Sequence, residues 1–327
     1  MKIRFGFVSN ATCLWEASPA KTLTFKRYST LGAEKGMEKL LDVTRQNIEN
    51  TLRVLQYNTA HQIEVYRMSS SIVPLATHPE IEWDFVTPFK KEWKQLGDWA
   101  TAHKMRISFH PNQFTLFTSP KPEITQNAVK DMEFHYKMLD AMGIADTSFI
   151  NIHVGGAYGD KESALVRVHE NLKSLPMHIK ERMTLENDDK TYTASETLGV
   201  CKREGIPLVF DYHHHLANLS DEPLNELLTE VFTTWNQAGA VPKIHISSPK
   251  SAGEFRSHAD YIDLDFIMPL FKVLKDLGQD ADFMIEAKMK DRAMLQLIED
   301  MAKIRGVKRV SGGAIECQLT KKKRLFH

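Results

Sequence analysis

Five histidines and three carboxylates in this 327-residue chain stand where they could hold metal ions: His110, His153, Glu186, Asp211, His214, His245, His258 and Glu286. The set mixes imidazole with carboxylate and has no thiolate, a donor chemistry that suits Mn²⁺, Zn²⁺ or Co²⁺ better than Mg²⁺. One such ion takes about four to six ligands, several of them water. Eight protein donors therefore imply two or three ions sharing carboxylates, with Glu186, in the middle of the series, as the natural bridge. Ions about 4 Å apart can clamp both the attacking and the leaving oxygen of an in-line phosphoryl displacement. Lys243 stands two residues before His245, and on a strand that spacing puts both on one face. Beside several cations it either steers phosphate or takes up CO₂ as N6-carboxylysine, a further anionic ligand. Glu186, Lys243 and Glu286 are the expected catalytic groups. The run His213-His214-His215 cannot aim three imidazoles inward, so one or two of the three are expected to be orienting groups or bystanders.

These residues share a place in the chain. Short apolar or β-branched runs cover residues 3–8, 63–68, 105–110, 149–153, 182–186, 208–211, 244–246 and 283–286, and longer segments with helical spacing separate them. Leu41, Ile48, Leu52 and Leu55 mark one such helix face; Met132, Tyr136, Leu139 and Met142 mark another. Gly143, Gly205 and Gly278 stand where helices should stop, and Pro207 and Pro242 just before strands. Eight βα units of this size predict an α/β chain folded as a single TIM (β/α)₈ barrel over residues 1–313, with a basic tail at 314–327. A doubly wound open sheet would want a glycine-rich fingerprint after the first strand, and none is present. In a barrel the C-terminal strand ends meet at one rim. Those ends read, in order, Asn10, Arg67, His110, His153, Glu186, Asp211, His245 and Glu286.

Lysine plus arginine and aspartate plus glutamate each number 42, so the net charge is zero. That balance excludes a protein that coats nucleic acid by bulk charge, and leaves room only for a local patch. Lys21, Lys26 and Arg27, in the long loop after the first strand, could supply one. Asn10, Arg67, Ser69, Ser248 and Lys250 are further candidates for phosphate contacts. The Lys321–Arg324 run reads as a solvated tail. Three dispersed cysteines argue against a disulfide framework, and there is no long apolar run or signal segment, so a cytoplasmic protein without a membrane partner is expected.

Several segments together resemble the UV damage endonuclease family. They are Arg67-Met68-Ser69-Ser70-Ser71, Ser108-Phe109-His110-Pro111-Asn112-Gln113-Phe114, Asn151-Ile152-His153-Val154-Gly155-Gly156, Thr184-Leu185-Glu186-Asn187, Phe210-Asp211-Tyr212-His213-His214, Lys243-Ile244-His245-Ile246-Ser247-Ser248 and Met284-Ile285-Glu286-Ala287-Lys288. The resemblance spans about residues 1 to 313 and is nearest to the enzymes of spore-forming bacilli. It implies a metal-dependent barrel nuclease related to endonuclease IV. Such an enzyme nicks damaged double-stranded DNA on the 5′ side of cyclobutane pyrimidine dimers, (6-4) photoproducts and some abasic sites. It further implies one metal on His110, His153 and Glu186, a second on Glu186, Asp211, His245 and Glu286, a third on His214 and His258, and a modified Lys243. Manganese is the expected ion. Gln113 and Phe114 would wedge into the stack vacated by a lesion, which is extruded more cheaply than intact pairs. The family commonly has Gln-Tyr there, so Phe114 keeps the stacking surface and loses the hydroxyl. Phe7 resembles an aromatic that lines the lesion pocket, with barrel core as the alternative reading. One barrel can grip a bent duplex alone, so a monomer associated with the nucleoid through DNA is expected. Two rivals remain on sequence grounds: a sugar isomerase on the same barrel, and a lesion-binding protein without turnover.

Overall fold

A computed structural model describes residues 1–318; the Lys321–Arg324 run lies outside the described residues. Eight parallel strands close on themselves: β1 (Lys2–Val8), β2 (Val65–Arg67), β3 (Arg106–Phe109), β4 (Phe149–His153), β5 (Met183–Glu186), β6 (Leu208–Asp211), β7 (Lys243–Ile246) and β8 (Ala281–Ile285). Each pairs with its successor, and β1 pairs with both β2 and β8, which shuts the barrel. A principal helix follows each strand in turn: Ala33–Ala60, Lys90–Ala102, Pro122–Met142, Lys161–Asn171, Ala194–Glu204, Leu224–Thr233, Leu264–Leu277 and Lys290–Ala302. The α/β barrel expected from the strand spacing is the observed fold. No helix among the described residues is long and apolar enough to cross a membrane.

Local chemistry explains the boundaries. Gly143, Gly205 and Gly278 end their helices in the left-handed region, at φ 71°, 67° and 69°, where a side chain would be strained. Thr193 and Glu196 form a reciprocal capping box at the start of Ala194–Glu204. The strands are buried on both faces because helices cover the outside and side chains fill the inside.

The chain does not leave the sheet at residue 313. Two further strands, β9 (Val307–Ser311) and β10 (Ala314–Cys317), form a hairpin, and β10 runs antiparallel to the first residues of β1. The three-residue β2 is too short to cover that part of β1, so β10 takes the vacant hydrogen bonds. The hairpin turn fits because Gly312 has no side chain: a Cβ there would lie 1.7 Å from the His61 carbonyl oxygen. The boundary drawn at 313 from the sequence therefore cuts through an ordered hairpin.

The lower barrel interior is charged. Arg4 grips Asp282 with two hydrogen bonds of 2.7 Å, and Arg106 adds a third at 2.6 Å while lying over the Trp235 ring. Outside the barrel, the helices Lys90–Ala102 and Pro122–Met142 touch backbone to backbone at Gly97, where a Cβ would come within 1.7 Å of the Met142 carbonyl oxygen. Alanine normally favours a helix interior over glycine by about 1 kcal/mol. Gly97→Ala should do the reverse here and destabilise by roughly 1–3 kcal/mol through overpacking. Denaturant unfolding checks the sign, and a stabilised variant would refute the close contact.

Candidate metal centre

The donors reach one rim because strand parity and strand length agree. Lys243 and His245 lie two apart on β7, as do Asn151 and His153 on β4, so each pair faces the interior. Register then sets neighbours side by side, His153 with Glu186 and Asp211 with His245. Asp211 has two tasks. It ends β6 and caps the short helix Tyr212–Ala217 by accepting from the His214 amide, which turns the His214 ring back over the rim. Its flanking histidines go elsewhere: His213 bonds Ser247 and the Phe255 carbonyl, and His215 is buried.

Three overlapping groups result: His110, His153 and Glu186; Glu186, Asp211 and His214; and Asp211, His245 and Glu286. In each, the possible ligand atoms lie within 4.8 Å of one another. Glu186 is the hub, with His110 Nε2 at 3.2 Å, His245 Nδ1 at 3.1 Å and His214 Nδ1 at 3.5 Å. His245 Nδ1 also lies 3.2 Å from Glu286. His258 stands outside these three groups. Its Nδ1 donates to the Glu286 carbonyl at 2.8 Å, which leaves Nε2 as the nitrogen with a free lone pair, and its ring lies 6.3 Å from that of His214.

Burial sets the electrostatics. It pushes His110 down to about 4, against the pull of Glu186. Burial also acts against ionised Glu186 and Glu286, yet His245 and His153 hold Glu186, and Arg67 and His245 hold Glu286, well below the usual carboxylate range. Asp211 is driven up by its own burial, opposed chiefly by His214. At His214 burial is outweighed by Asp211, Glu186 and Glu286, which raise the imidazole to about 9. Glu186 Oε1, Asp211 Oδ2, His153 Nδ1 and His245 Nδ1 are buried without hydrogen-bond partners. Such atoms ordinarily cost about 1–3 kcal/mol each when left alone. Mixed oxygen and nitrogen donors, crowded and under-satisfied, are what divalent cations would complete, so the residues fit the implied ions.

Other expected site residues fall in varied places. Gln113 and Phe114 are exposed on the loop after β3, where Asn112 Oδ1 accepts from the Phe114 amide. Asn10 is half-buried just past β1. Lys250 is exposed and paired with Glu254, and Ser248 accepts from the Asp263 amide. Lys26 and Arg27 are exposed on the helix Phe25–Leu31. Lys243 is buried, and its amine donates to Ser108 Oγ at 2.8 Å. Three of the expected contacts are engaged within the chain. Phe7 is fully buried against Tyr57 and Tyr66, because β1 turns even positions inward and Phe7 toward the helix layer. Ser69 is buried and accepts from the Ser71 amide instead of facing solvent. Arg67, expected as a phosphate contact, binds Glu286 through its guanidinium.

Sequence reasoning also passed over three supports. Asn151 donates to Glu186 and accepts from Thr184, fixing the hub carboxylate; its place two before His153 was the available signal. Asn187 clamps the Asp211 backbone through both its amide atoms at 2.9 Å. Lys290 sends its amine to the Val8 carbonyl at 3.3 Å from a left-handed backbone (φ 46°), and nothing in its sequence context marks it.

Relatives place this arrangement in a known group. The model of the UV-endonuclease UvdE family matches residues 3–318. UV DNA damage endonucleases from Bacillus pumilus (strain SAFR-032) and Bacillus thuringiensis subsp. konkukian (strain 97-27) are 62% and 60% identical; the alignments cover 97% of this chain and 99% and 100% of those proteins. The crystal structure of SacUVDE superposes with a TM-score of 0.82 and 30% identity, covering 92% of this chain and 98% of that one. A D-psicose 3-epimerase from Clostridium cellulolyticum H10, at TM-score 0.51 and 14% identity over 87% of this chain and 85% of that one, shares the barrel alone. A match over almost the whole chain, carried by close relatives and by backbone geometry alike, makes this chain a member of the UV-endonuclease UvdE family.

Proposed function

We propose that this protein nicks the backbone of UV-damaged double-stranded DNA on the 5′ side of the lesion, using two or three divalent ions held at the barrel mouth. The observation that carries the reading is the hub: one buried carboxylate, Glu186, shared between His110, His214 and His245. His110, His153 and Glu186 would hold one ion, Glu186, Asp211, His245 and Glu286 a second, and His214 with His258 a third; Mn²⁺ is the first choice. Bound there, the ions supply Lewis-acid charge for in-line attack of water on the scissile phosphate. The chain's own residues prepare the site. Asn151 fixes the rotamer of Glu186, Arg67 holds Glu286 ionised, and Asn187 keeps Asp211 at the rim. Gln113 and Phe114, exposed beside His110, take the space left by unstacked bases. An epimerase-like reading has only the shared barrel behind it.

Irradiated supercoiled plasmid should be nicked with Mn²⁺ and undamaged plasmid spared; equal nicking of both would mean a general nuclease. Glu186→Gln should keep lesion binding in a gel-shift assay while cleavage falls by at least about a hundredfold, since even outer groups around a metal are worth ten- to hundredfold.

Metal loading should carry a proton signature. His214, raised to about 9, is protonated in the metal-free protein at pH 7 and must lose its proton to ligate. His110, lowered to about 4, is already neutral. Calorimetry at pH 7 in buffers of different ionisation enthalpy should therefore show about one proton fewer released by His214→Gln than by the unaltered protein. The difference should fade as the pH rises through 9; equal release at pH 7 would count against His214 as a ligand.

Lys243 completes the proposal. Burial, then Arg106, pushes its amine well below the ordinary lysine range, which favours the neutral, nucleophilic form. The nitrogen lone pair can add to the carbon of CO₂ with loss of one proton, giving a carbamate. Native mass spectrometry in bicarbonate should find the mass of one extra CO₂, absent in Lys243→Met; no adduct in either would refute the modification.

A further inference from the structure

Among the described residues, every exposed aromatic side chain stands on a loop that leaves the C-terminal end of a barrel strand: Trp15 after β1, Phe114 after β3, Tyr158 after β4 and Tyr261 after β7. The other large exposed apolar residues, Val166, Met177, Leu219, Leu277 and Val310, are aliphatic. Aromatic exposure is thus confined to the face that carries the metal donors.

Trp15 is the extreme case, with 83% of its surface open to solvent. The remaining tryptophans are buried or half-buried, and Trp93, Trp99 and Trp235 donate their indole N–H to Phe85, Thr59 and Leu208. Trp15 does nothing comparable for the fold. Its backbone is nonetheless held firmly. Arg53 donates to the carbonyls of Trp15 and Glu16, Asp291 accepts from the amides of Thr12 and Cys13, and Asn50 donates to the Ser18 carbonyl. Glu16 sits in the left-handed region (φ 49°), a conformation a non-glycine residue keeps only where its surroundings enforce it. A pinned loop that presents a free indole is pre-organised for a flat partner and loses little entropy on binding one.

The same excursion identifies the partner. Residues 9–32 carry Lys21, Lys26 and Arg27 against the single acid Glu16, in a chain whose net charge is zero. Cations on the same excursion as an exposed ring are the combination used for unstacked nucleic acid, where phosphates meet the charge and a base meets the ring. We propose that Trp15 is a second base-stacking platform, set apart from Gln113-Phe114 around the rim, that takes a base unstacked by the lesion or its neighbour. This rests on the nuclease reading above.

The test uses the full metal-loaded protein and a short duplex with one cyclobutane dimer, beside its undamaged twin. Trp15→Ala should leave thermal stability and metal content unchanged. It should weaken binding to the lesion duplex by roughly five- to a hundredfold, with Trp15→Phe close to the unaltered protein. Because stacking is not ionic, that ratio should persist as salt is raised. The lesion duplex should also change tryptophan emission, and Trp15→Phe should abolish the change. If the unaltered protein nicks irradiated plasmid while Trp15→Ala binds the lesion equally well and emission is insensitive, the inference fails and the function stands. Equal loss for damaged and undamaged duplex would make Trp15 a general contact and refute stacking on an unstacked base. Failure of the unaltered protein to nick irradiated plasmid would sink both.

Discussion

Carboxylates placed together inside a barrel repel one another, and each has given up its hydration. Glu186 and Asp211 are almost wholly buried, and Glu286 nearly so. Isolated charges in such surroundings are so costly that they normally neutralise or find partners. The response of this protein is divided. Glu186 and Glu286 stay ionised by drawing on histidines and on Arg67, whereas Asp211 gives way and its affinity for a proton rises. That division leaves the mouth electrostatically incomplete, and divalent cations are the charges that would complete it. The strain of the metal-free arrangement and the affinity for metal are two views of the same term.

Such a cluster needs rigid support, and the layer beneath it is unlike an ordinary barrel interior. Branched apolar side chains usually fill those layers. Here Arg4, Arg106 and Asp282 form a charged floor, with the buried amine of Lys243 among the polar side chains above it. Arg4 and Arg106 share Asp282, with the more exposed Glu64 a second partner of Arg4, and the charge of Arg106 adds to burial in lowering the proton affinity of the Lys243 amine. Carbamate formation would turn that amine into an anion, answering the guanidiniums of the floor from above and the cations at the rim from below. Removing one member of a buried charged network leaves its partners unpaired, typically worse than never having had it. The floor and the rim therefore depend on each other.

Much of this was legible because a barrel converts sequence position into spatial position. Once eight strand-like runs are found, the residues at their ends must converge, and seven of the eight expected ligands fall in the three donor groups. The misreadings have specific causes. Phe7 was assigned by likeness without strand parity, which turns it away from the mouth. The pairing of Arg67, a candidate phosphate contact, with Glu286 is not legible because the two lie 219 residues apart in the chain. Hairpin β9–β10 was invisible because Val307-Lys308-Arg309-Val310-Ser311 is mostly exposed and breaks alternation with two adjacent cations, and β10 is only four residues long. Its place depends on β2 being short, a property of another segment altogether.

The division of labour between strands and loops follows from what each part must tolerate. Phosphoryl transfer penalises misplacement of about 1 Å severely, so the donors belong on strand ends and on a helix whose cap is itself a donor, Asp211. Lesions differ in how far they bend and unstack the duplex, so the groups that meet them gain from standing on loops. Phe114 and Trp15 occupy such loops, each backbone fixed by side-chain hydrogen bonds and each ring left open. A loop held this way offers a flat surface without dictating which base lies on it. Recognition by ease of unstacking, with chemistry confined to the rigid rim, would let one site serve several lesion shapes, because the energy that separates damaged from intact DNA resides in the DNA.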